Sequence, residues 1–183
     1  MALFIVIAGG WFLLPQGYED LIAIFGPQFG NYLRPTLVMV NLILVNPMSN
    51  FTMVAVWAVA GFVGGMMAGT KKGAFVVGLV TWLSCLALIA LCVYLIFQAS
   101  ISLGSIVVPP GSSIVDILGI PLIQGMIDQI LPLISGVFGG GGGFDPSAIM
   151  TLLTPLIVWF FTPVIVCIVA AIVGAVVRSK EEF

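Results

Sequence analysis

The chain has 183 residues, of which 61% are hydrophobic and 7% are charged, and its formal net charge is −2. Soluble domains carry about 25% charged residues, so this composition predicts a single domain with the fold of an all-α integral membrane protein. Few basic residues argue against nucleic acid as a partner, since nucleic acid is bound by Lys and Arg clusters. Because there is no histidine, we expect no catalytic residue, no cofactor and no metal ligand on this chain.

Residues 1–25 are apolar except near Glu19 and Asp20, and a Pro15-Gln16-Gly17 break interrupts them. About 20 apolar residues are needed to cross a bilayer as a helix. We therefore expect a short first span, thin or tilted, with both carboxylates at a membrane interface.

Residues 26–45 mix polar and apolar positions and contain two helix breakers, Gly26-Pro27 and Arg34-Pro35. The apolar stretch 36–45 is too short to cross a bilayer. Three placements remain open for this segment: re-entrant, interfacial, or packed on other helices.

Two long apolar runs, 46–69 and 73–98, flank a short turn that contains Lys71 and Lys72. Each run is long enough to span a bilayer, so together they predict a membrane hairpin. The first helix of the hairpin is expected to begin at Asn46-Pro47, because Asn is a favoured N-cap and Pro suits the first helical position.

The remaining chain divides into an extramembrane segment 99–144, a last span 145–177 and a charged tail 178–183, which gives about four transmembrane helices in all. Lys and Arg in short loops stay in the cytoplasm. The lysine pair and the tail fall on one side of the membrane in this arrangement. We therefore expect a multi-pass protein of the cell membrane with both termini in the cytoplasm and residues 99–144 outside.

Small residues on the helix 46–69 form two adjacent rows, which we call the glycine ridge. Its members are Ala60, Gly61, Gly64, Gly65, Ala68 and Gly69. Small residues at four-residue spacing make a flat face where another backbone can approach closely. The partner of this face is a second copy, another protein, or the span 73–98 of the same chain. The intramolecular choice is the plainest, with Ala74 and Gly78 as the facing notch.

In residues 113–137 the polar positions recur every three or four residues, as on one face of an amphipathic helix. The apolar arc is wide, so this outer segment is expected to lie in the membrane interface or to dock on a partner protein. Gln124, Asp128 and Gln129 form its polar stripe and are the candidate partner contacts.

The last span contains Thr154-Pro155 and Thr162-Pro163, eight residues apart. Each proline removes a hydrogen bond within the helix and favours a bend, and the preceding threonine hydroxyl can satisfy a freed carbonyl. Pro155 and Pro163 are therefore candidate hinge positions, although static curvature is the simpler interpretation because proline is common in membrane helices.

The sequence offers abundant surface for helix packing and no recognisable catalytic or metal-binding motif, which favours a structural function. We expect a non-catalytic membrane subunit that stabilises a larger assembly, in contact with lipids and with other membrane proteins or copies of itself. The alternative is a self-associating channel whose lumen is lined by Gly, Ala and Thr. A membrane enzyme is disfavoured, because the spans after residue 46 carry no charged residue in their interiors.

Overall fold

The computed structural model describes residues 1–98, 124, 127 and 146–178, and the described residues contain helices and turns without strands. In chain order the helices are α1 (Ala2–Phe12), α2 (Gln16–Phe29), α3 (Leu33–Ile43), α4 (Phe51–Ala68), α5 (Lys71–Gln98) and α6 (Pro146–Val177). A 3-10 turn, Gly30–Tyr32, connects α2 to α3. The prediction of an all-helical chain is confirmed for these residues.

Three helices, α4, α5 and α6, are long and apolar enough to span a membrane. In α6 the qualifying stretch is Leu153–Val177. A fourth span is possible if α1 and α2 together cross the membrane as one broken element. The two helices are bent by 76° at the break, where Pro15 precedes α2. The proline ring fixes its own backbone and lacks an N–H, which explains why the N-terminal apolar run does not continue as one helix.

The helix α4 begins at Phe51, so the predicted start at Asn46-Pro47 is wrong. Asn50 is the N-cap, and its side chain oxygen accepts a hydrogen bond from the Met53 N–H at 3.4 Å. The Asn46 side chain instead accepts from the Met48 N–H at 3.0 Å, within a turn. Both asparagines cap a local structure, and only the second one opens a helix.

The connection between α4 and α5 is shorter than the sequence predicts. Gly69 ends α4 in the left-handed conformation, with a φ of 67° and its N–H bonded to the Gly65 carbonyl. The Thr70 hydroxyl then accepts from the Gly73 N–H at 3.1 Å and caps α5. Lys71 and Lys72 therefore lie in the first turn of α5, where the helix dipole disfavours a positive charge. Helix preference does not explain two lysines at this position.

Residues 26–45 form neither one loop nor one helix. The helix α2 continues through Pro27, and α3 begins before Pro35, so neither predicted breaker coincides with a helix end. Of the three placements left open for 36–45, the described structure shows packing on other helices: α3 contacts α1 and α5. Six of its eleven residues are buried, including Asn41.

The long helices have a simple order. Gly61 of α4 lies against Cys167 of α6, and Gly65 lies against Ala171, so α4 and α6 are parallel. The short α4–α5 connection makes α5 antiparallel to both. Consequently Lys71, Lys72 and Arg178 lie at one end of the bundle, which we call the lysine end. The opposite end, where α4 and α6 begin, is the far end.

The largest buried cluster lies where α1, α3, α4, α5 and α6 meet. Trp57 at its centre is fully buried, and its Nε1 donates a hydrogen bond to the Leu42 carbonyl at 2.9 Å. Beside it, the Trp82 ring of α5 packs edge-on against Phe160 of α6 with ring centroids 5.0 Å apart. This core joins the short N-terminal helices to the three long ones.

Candidate packing interface

The tightest helix contact lies between α4 and α6. A Cβ built on Gly61 would overlap the Cys167 carbonyl oxygen, and one built on Gly65 would overlap the Ala171 carbonyl oxygen. The contact is reciprocal, because a Cβ on Gly174 of α6 would overlap the Phe62 carbonyl oxygen of α4. Three glycines thus allow the two backbones to touch directly.

Backbone contact of this kind needs no polar side chain. The glycine Cα–H groups face carbonyl oxygens, and weak hydrogen bonds of this kind contribute about 0.5–1 kcal/mol each. Close approach also adds dispersion contacts along both helices, which is the main attraction between helices in lipid. The α4–α6 pair is therefore stabilised by close backbone packing, and one added methyl group at the contact would separate the two helices.

Five of the six residues of the glycine ridge are buried within the chain: Ala60, Gly61, Gly64, Gly65 and Gly69. Ala68 is half-buried. The ridge does not face one partner. Gly61 and Gly65 face α6, Gly64 faces Val77 of α5 and Ala2 of α1, and Gly69 serves the turn.

The expected partner of the ridge, the span 73–98 with Ala74 and Gly78 as its notch, is therefore corrected in part. Gly78 lies against α6, where its Cβ would be 3.0 Å from the Ile168 Cα. Ala74 is buried in a small cluster with Ala171 and Ala175 of α6. Gly61 and Gly65 of α4 and the notch residues of α5 thus approach the same third helix, whereas Gly64 faces α5.

Pro155 and Pro163 both lie inside the continuous helix α6. Pro163 is fully buried, and in an ordinary helix the residue at its position would donate to the Trp159 carbonyl. That freed carbonyl accepts a hydrogen bond from the Val45 N–H at 3.2 Å. The buried proline therefore creates an attachment point for the segment between α3 and α4.

The threonine hydroxyls do not satisfy the carbonyls that the prolines free. Thr154 donates to the Met150 carbonyl and Thr162 donates to the Val158 carbonyl, each at 2.7 Å. Each hydroxyl thus bonds to the carbonyl four residues before it, which belongs to the residue that precedes the one with the freed carbonyl. Bonds of this kind bend a helix slightly without opening it.

Two polar contacts that sequence reasoning missed fix the N-terminal helices. Asn50 Nδ2 donates to Asn41 Oδ1 at 2.9 Å inside the protein and joins the start of α4 to α3. Arg34 Nη2 donates to Glu19 Oε1 at 2.6 Å, and the Arg34 guanidinium lies 5.0 Å from the centre of the Trp11 ring. An available signal was the presence of Asn41 in an otherwise apolar run.

The candidate partner contacts fall mostly outside the described residues. Gln124 is helical and exposed, whereas Asp128 and Gln129 lie outside the part of the chain that the structure describes. Among the described residues, no group of three or more His, Cys, Asp or Glu side chains could hold a metal ion.

Comparisons with known proteins assign this chain to no family. No family model, curated protein or solved structure matches the chain. The packing of the described residues is consequently the basis on which a function can be proposed.

Proposed function

We propose that this chain is a non-catalytic membrane subunit that packs into and stabilises a larger membrane assembly. The observation that carries the proposal is the internal use of the glycine ridge. Gly61 and Gly65 are covered by α6 of the same chain, which makes the three long helices one tightly packed unit. A unit of this kind is suited to act as a rigid support for another protein.

The ridge is covered, so a partner protein must bind elsewhere on the chain. The polar stripe of the outer segment, Gln124, Asp128 and Gln129, is our candidate, and the exposure of Gln124 supports it. Amides and a carboxylate on one helix face can recognise complementary donors and acceptors on a partner, whereas lipid tails cannot. Lipids would cover the remaining apolar surface.

The alternative function is a self-associating channel. Such a channel needs small or hydroxyl-bearing residues at a lumen between copies, and the ridge glycines at Gly61 and Gly65 are buried inside one copy. Thr154 and Thr162 favour the alternative, because they are eight residues apart on α6, with Thr154 exposed and Thr162 half-buried. Their hydroxyl hydrogens are donated to their own helix, which leaves only their oxygens for a passing ion.

We further propose that the lysine end lies in the cytoplasm and that the protein resides in the cell membrane. Lys71, Lys72 and Arg178 share this end, and basic residues near spans are retained on the cytoplasmic side. The dipole penalty for lysine in the first turn of α5 is consistent with such a constraint from membrane insertion.

The test replaces Gln124, Asp128 and Gln129 together with Ala. Its matched control replaces three exposed polar residues elsewhere, Gln16, Asn31 and Gln98, with Ala. Each variant is expressed in its native membrane, extracted in mild detergent and examined for co-purifying proteins. We expect the first variant to insert normally and to lose its companion protein, because the polar recognition is gone while the apolar arc remains.

The control variant should keep the companion. Loss of the companion in both variants would show that general surface polarity is required rather than the stripe. An intact complex in the stripe variant would remove the outer segment from the interface. Purification of the parent chain only as identical copies would favour the channel.

A further inference from the structure

The exposed Trp and Tyr side chains mark one level of the molecule. The chain has four Trp and three Tyr residues, and four of these seven rings are buried by the fold. The three exposed ones are Trp11 of α1 at 38%, Tyr32 of the 3-10 turn at 39% and Tyr94 of α5 at 57%. We call these three residues the aromatic belt.

Contacts between their neighbours bring the belt residues together, although they come from three different elements. The Arg34 guanidinium, two residues after Tyr32, lies 5.0 Å from the centre of the Trp11 ring. The Thr36 hydroxyl donates to the Tyr32 carbonyl at 2.7 Å. It also lies within hydrogen-bond distance of the Cys92 side chain, two residues before the belt residue of α5. Since α5 begins at the lysine end and finishes four residues after its belt residue, the belt lies at the far end.

The belt and the lysine end are one bilayer apart. Between Lys72 and Tyr94 the helix α5 rises about 33 Å, and the hydrocarbon core of a bilayer is about 30 Å thick. No charged residue occurs in α5 between these two positions. Trp and Tyr are enriched where a membrane meets water, because their rings have an apolar body and a polar tip. The two levels thus have the separation and the chemistry of the two faces of a bilayer.

The charged residues follow the same division. Those that the structure describes lie either at the lysine end or on α2 and α3 beside the belt. Glu19 of α2 and Arg34 of α3 form an ion pair at 2.6 Å. The chain bends by 76° between α1 and α2, directly after Trp11. The helix that carries Glu19 therefore turns away from the direction of α1 at the level of the belt.

The helix α4 begins below the belt. Gly64 of α4 faces Val77 of α5. From this contact α4 extends back about 20 Å to Phe51, whereas α5 extends about 26 Å to its belt residue, at 1.5 Å per residue. The first residue of α4 thus lies about 6 Å nearer to the lysine end than the belt does. The end of α3 reaches past this start, because the Leu42 carbonyl accepts from Trp57 Nε1 in the second turn of α4.

Residues 44–50, which connect α3 to α4, suit an apolar environment although they are not helical. Lipid offers no hydrogen-bond partner to a free backbone group, so irregular backbone at membrane depth must be satisfied within the protein. Four N–H groups of this connection have acceptors in the chain, those of Leu44, Val45, Met48 and Asn50. Pro47 has no N–H to satisfy.

A competing placement would put the membrane boundary at the start of α4. The last turns of α5 would then stand in water, including Leu91 and Val93, which are 50% and 38% exposed. Large apolar side chains are costly to leave in water. The apolar surface of α5 therefore favours a boundary at the belt.

We propose that the aromatic belt contacts the lipid headgroup region of the leaflet at the far end and sets the depth of the chain in the bilayer. In this placement α3 is a re-entrant helix. It enters the leaflet below Tyr32 and ends beside Trp57, and residues 44–50 lead into α4 without leaving the leaflet. This placement depends neither on which end is cytoplasmic nor on a partner protein.

The first test measures the depth of the belt. Trp11→Cys, Tyr32→Cys and Tyr94→Cys are made singly in a Cys92→Ala background, where the other two cysteines are buried. Each variant is spin-labelled in phosphatidylcholine vesicles, and its collisions with oxygen are compared with those with a water-soluble nickel complex. We expect the three positions to have the same depth to within about one helical turn of 5.4 Å, at the transition between the two reagents.

The background without an added cysteine should take up no label. If Trp11→Cys does not fold, as judged by helix content and melting, Phe12→Cys serves instead, since Phe12 is 83% exposed. Depths that differ by two helical turns or more among the three positions would refute the belt.

The second test concerns the re-entrant helix. Phe51→Cys and Leu91→Cys should collide with oxygen several-fold more than with nickel, as should Val80→Cys in the middle of α5. Matched exposed positions outside the two levels, Thr70→Cys and Gln98→Cys, should show the reverse preference. Nickel access at position 51 or 91 as high as at 98 would place the boundary at the start of α4 and exclude a re-entrant α3. Oxygen preference at position 98 would place the boundary beyond the belt and contradict its role.

Discussion

The long helices and the N-terminal helices of the described structure are positioned by different kinds of contact. The α4–α6 pair relies on direct backbone contact, with Gly61, Gly65 and Gly174 each facing a carbonyl oxygen of the other helix. The N-terminal helices pack on the apolar core as well, and polar contacts orient two of them: the Asn41–Asn50 amide pair joins α3 to the start of α4, and the Arg34–Glu19 ion pair joins α3 to α2. The α4–α6 contact therefore depends on the absence of side chains, whereas the orientation of α2 and α3 depends on particular ones.

This contrast follows from helix length. The helices α1 and α3 have eleven residues each, and their axial rise of about 16 Å is too short for extended ridge packing across a bilayer. Directed hydrogen bonds fix such short elements, and the Trp57–Leu42 bond and the Val45–Trp159 bond add to them. The ion pair is half-exposed, so it orients α2 on α3 and contributes only about 0–1 kcal/mol.

The largest effect is expected at the glycine contact. Gly65→Ala adds a methyl group that overlaps the Ala171 carbonyl oxygen, so α4 and α6 must separate. Overpacking of this kind costs about 1–3 kcal/mol or more, and we expect a clear fall in the melting temperature of the purified protein.

The matched control for this change is Gly26→Ala in α2, where an added Cβ would have no atom within 4 Å. Alanine there should leave stability unchanged or raise it by up to about 1 kcal/mol through helix propensity. Similar melting of the two variants would show that α4 and α6 are not in backbone contact.

An intermediate effect is expected at the polar anchor. Asn50→Ala removes the N-cap of α4 and the partner of Asn41 at the same time. Loss of a cap costs about 0.5–2 kcal/mol, and a buried amide that loses its partner adds to this. Asn46→Ala is the control, because Asn46 caps only a turn. Denaturation of both variants should show the larger loss for Asn50, and equal losses would refute its role as an anchor.

The smallest effect is local and concerns the two prolines. Pro163→Ala supplies a new N–H that competes for the Trp159 carbonyl, so the Val45 N–H should lose its acceptor. We expect faster hydrogen exchange at Val45 with little change in overall stability. Pro155→Ala, eight residues earlier, should leave Val45 exchange as it is. Unchanged exchange in the Pro163 variant would mean that the Val45 bond does not form in solution.

The sequence allowed the three long apolar helices to be predicted, because uninterrupted apolar runs of this length have few other structures available. It did not show that α6 covers Gly61 and Gly65, since α6 offers only one glycine of its own at the contact, Gly174. The same face of α6 carries Cys167, Ala171 and Ala175 at four-residue spacing, and this row of small residues was not used to predict the contact.

The N-terminal region was harder to predict for a different reason. Glu19 and Asp20 were expected at a membrane interface, and Asp20 is buried by the fold. Asn41 lies in a stretch that was treated as apolar, and it is buried as well. The expected N-cap was Asn46, whereas Asn50 caps the helix by accepting from the Met53 N–H and is held in place by its hydrogen bond to Asn41. Tertiary contacts of this kind decide a helix boundary that local preference leaves open.

The central claim is that the glycine ridge is used within one chain, which leaves the protein free to serve as a subunit beside a different polypeptide. The most direct test is the mass and composition of the complex extracted from native membranes by a lipid-retaining polymer. The account predicts one copy of this chain together with a different protein. Several identical copies around a continuous lumen, with no second polypeptide, would contradict it.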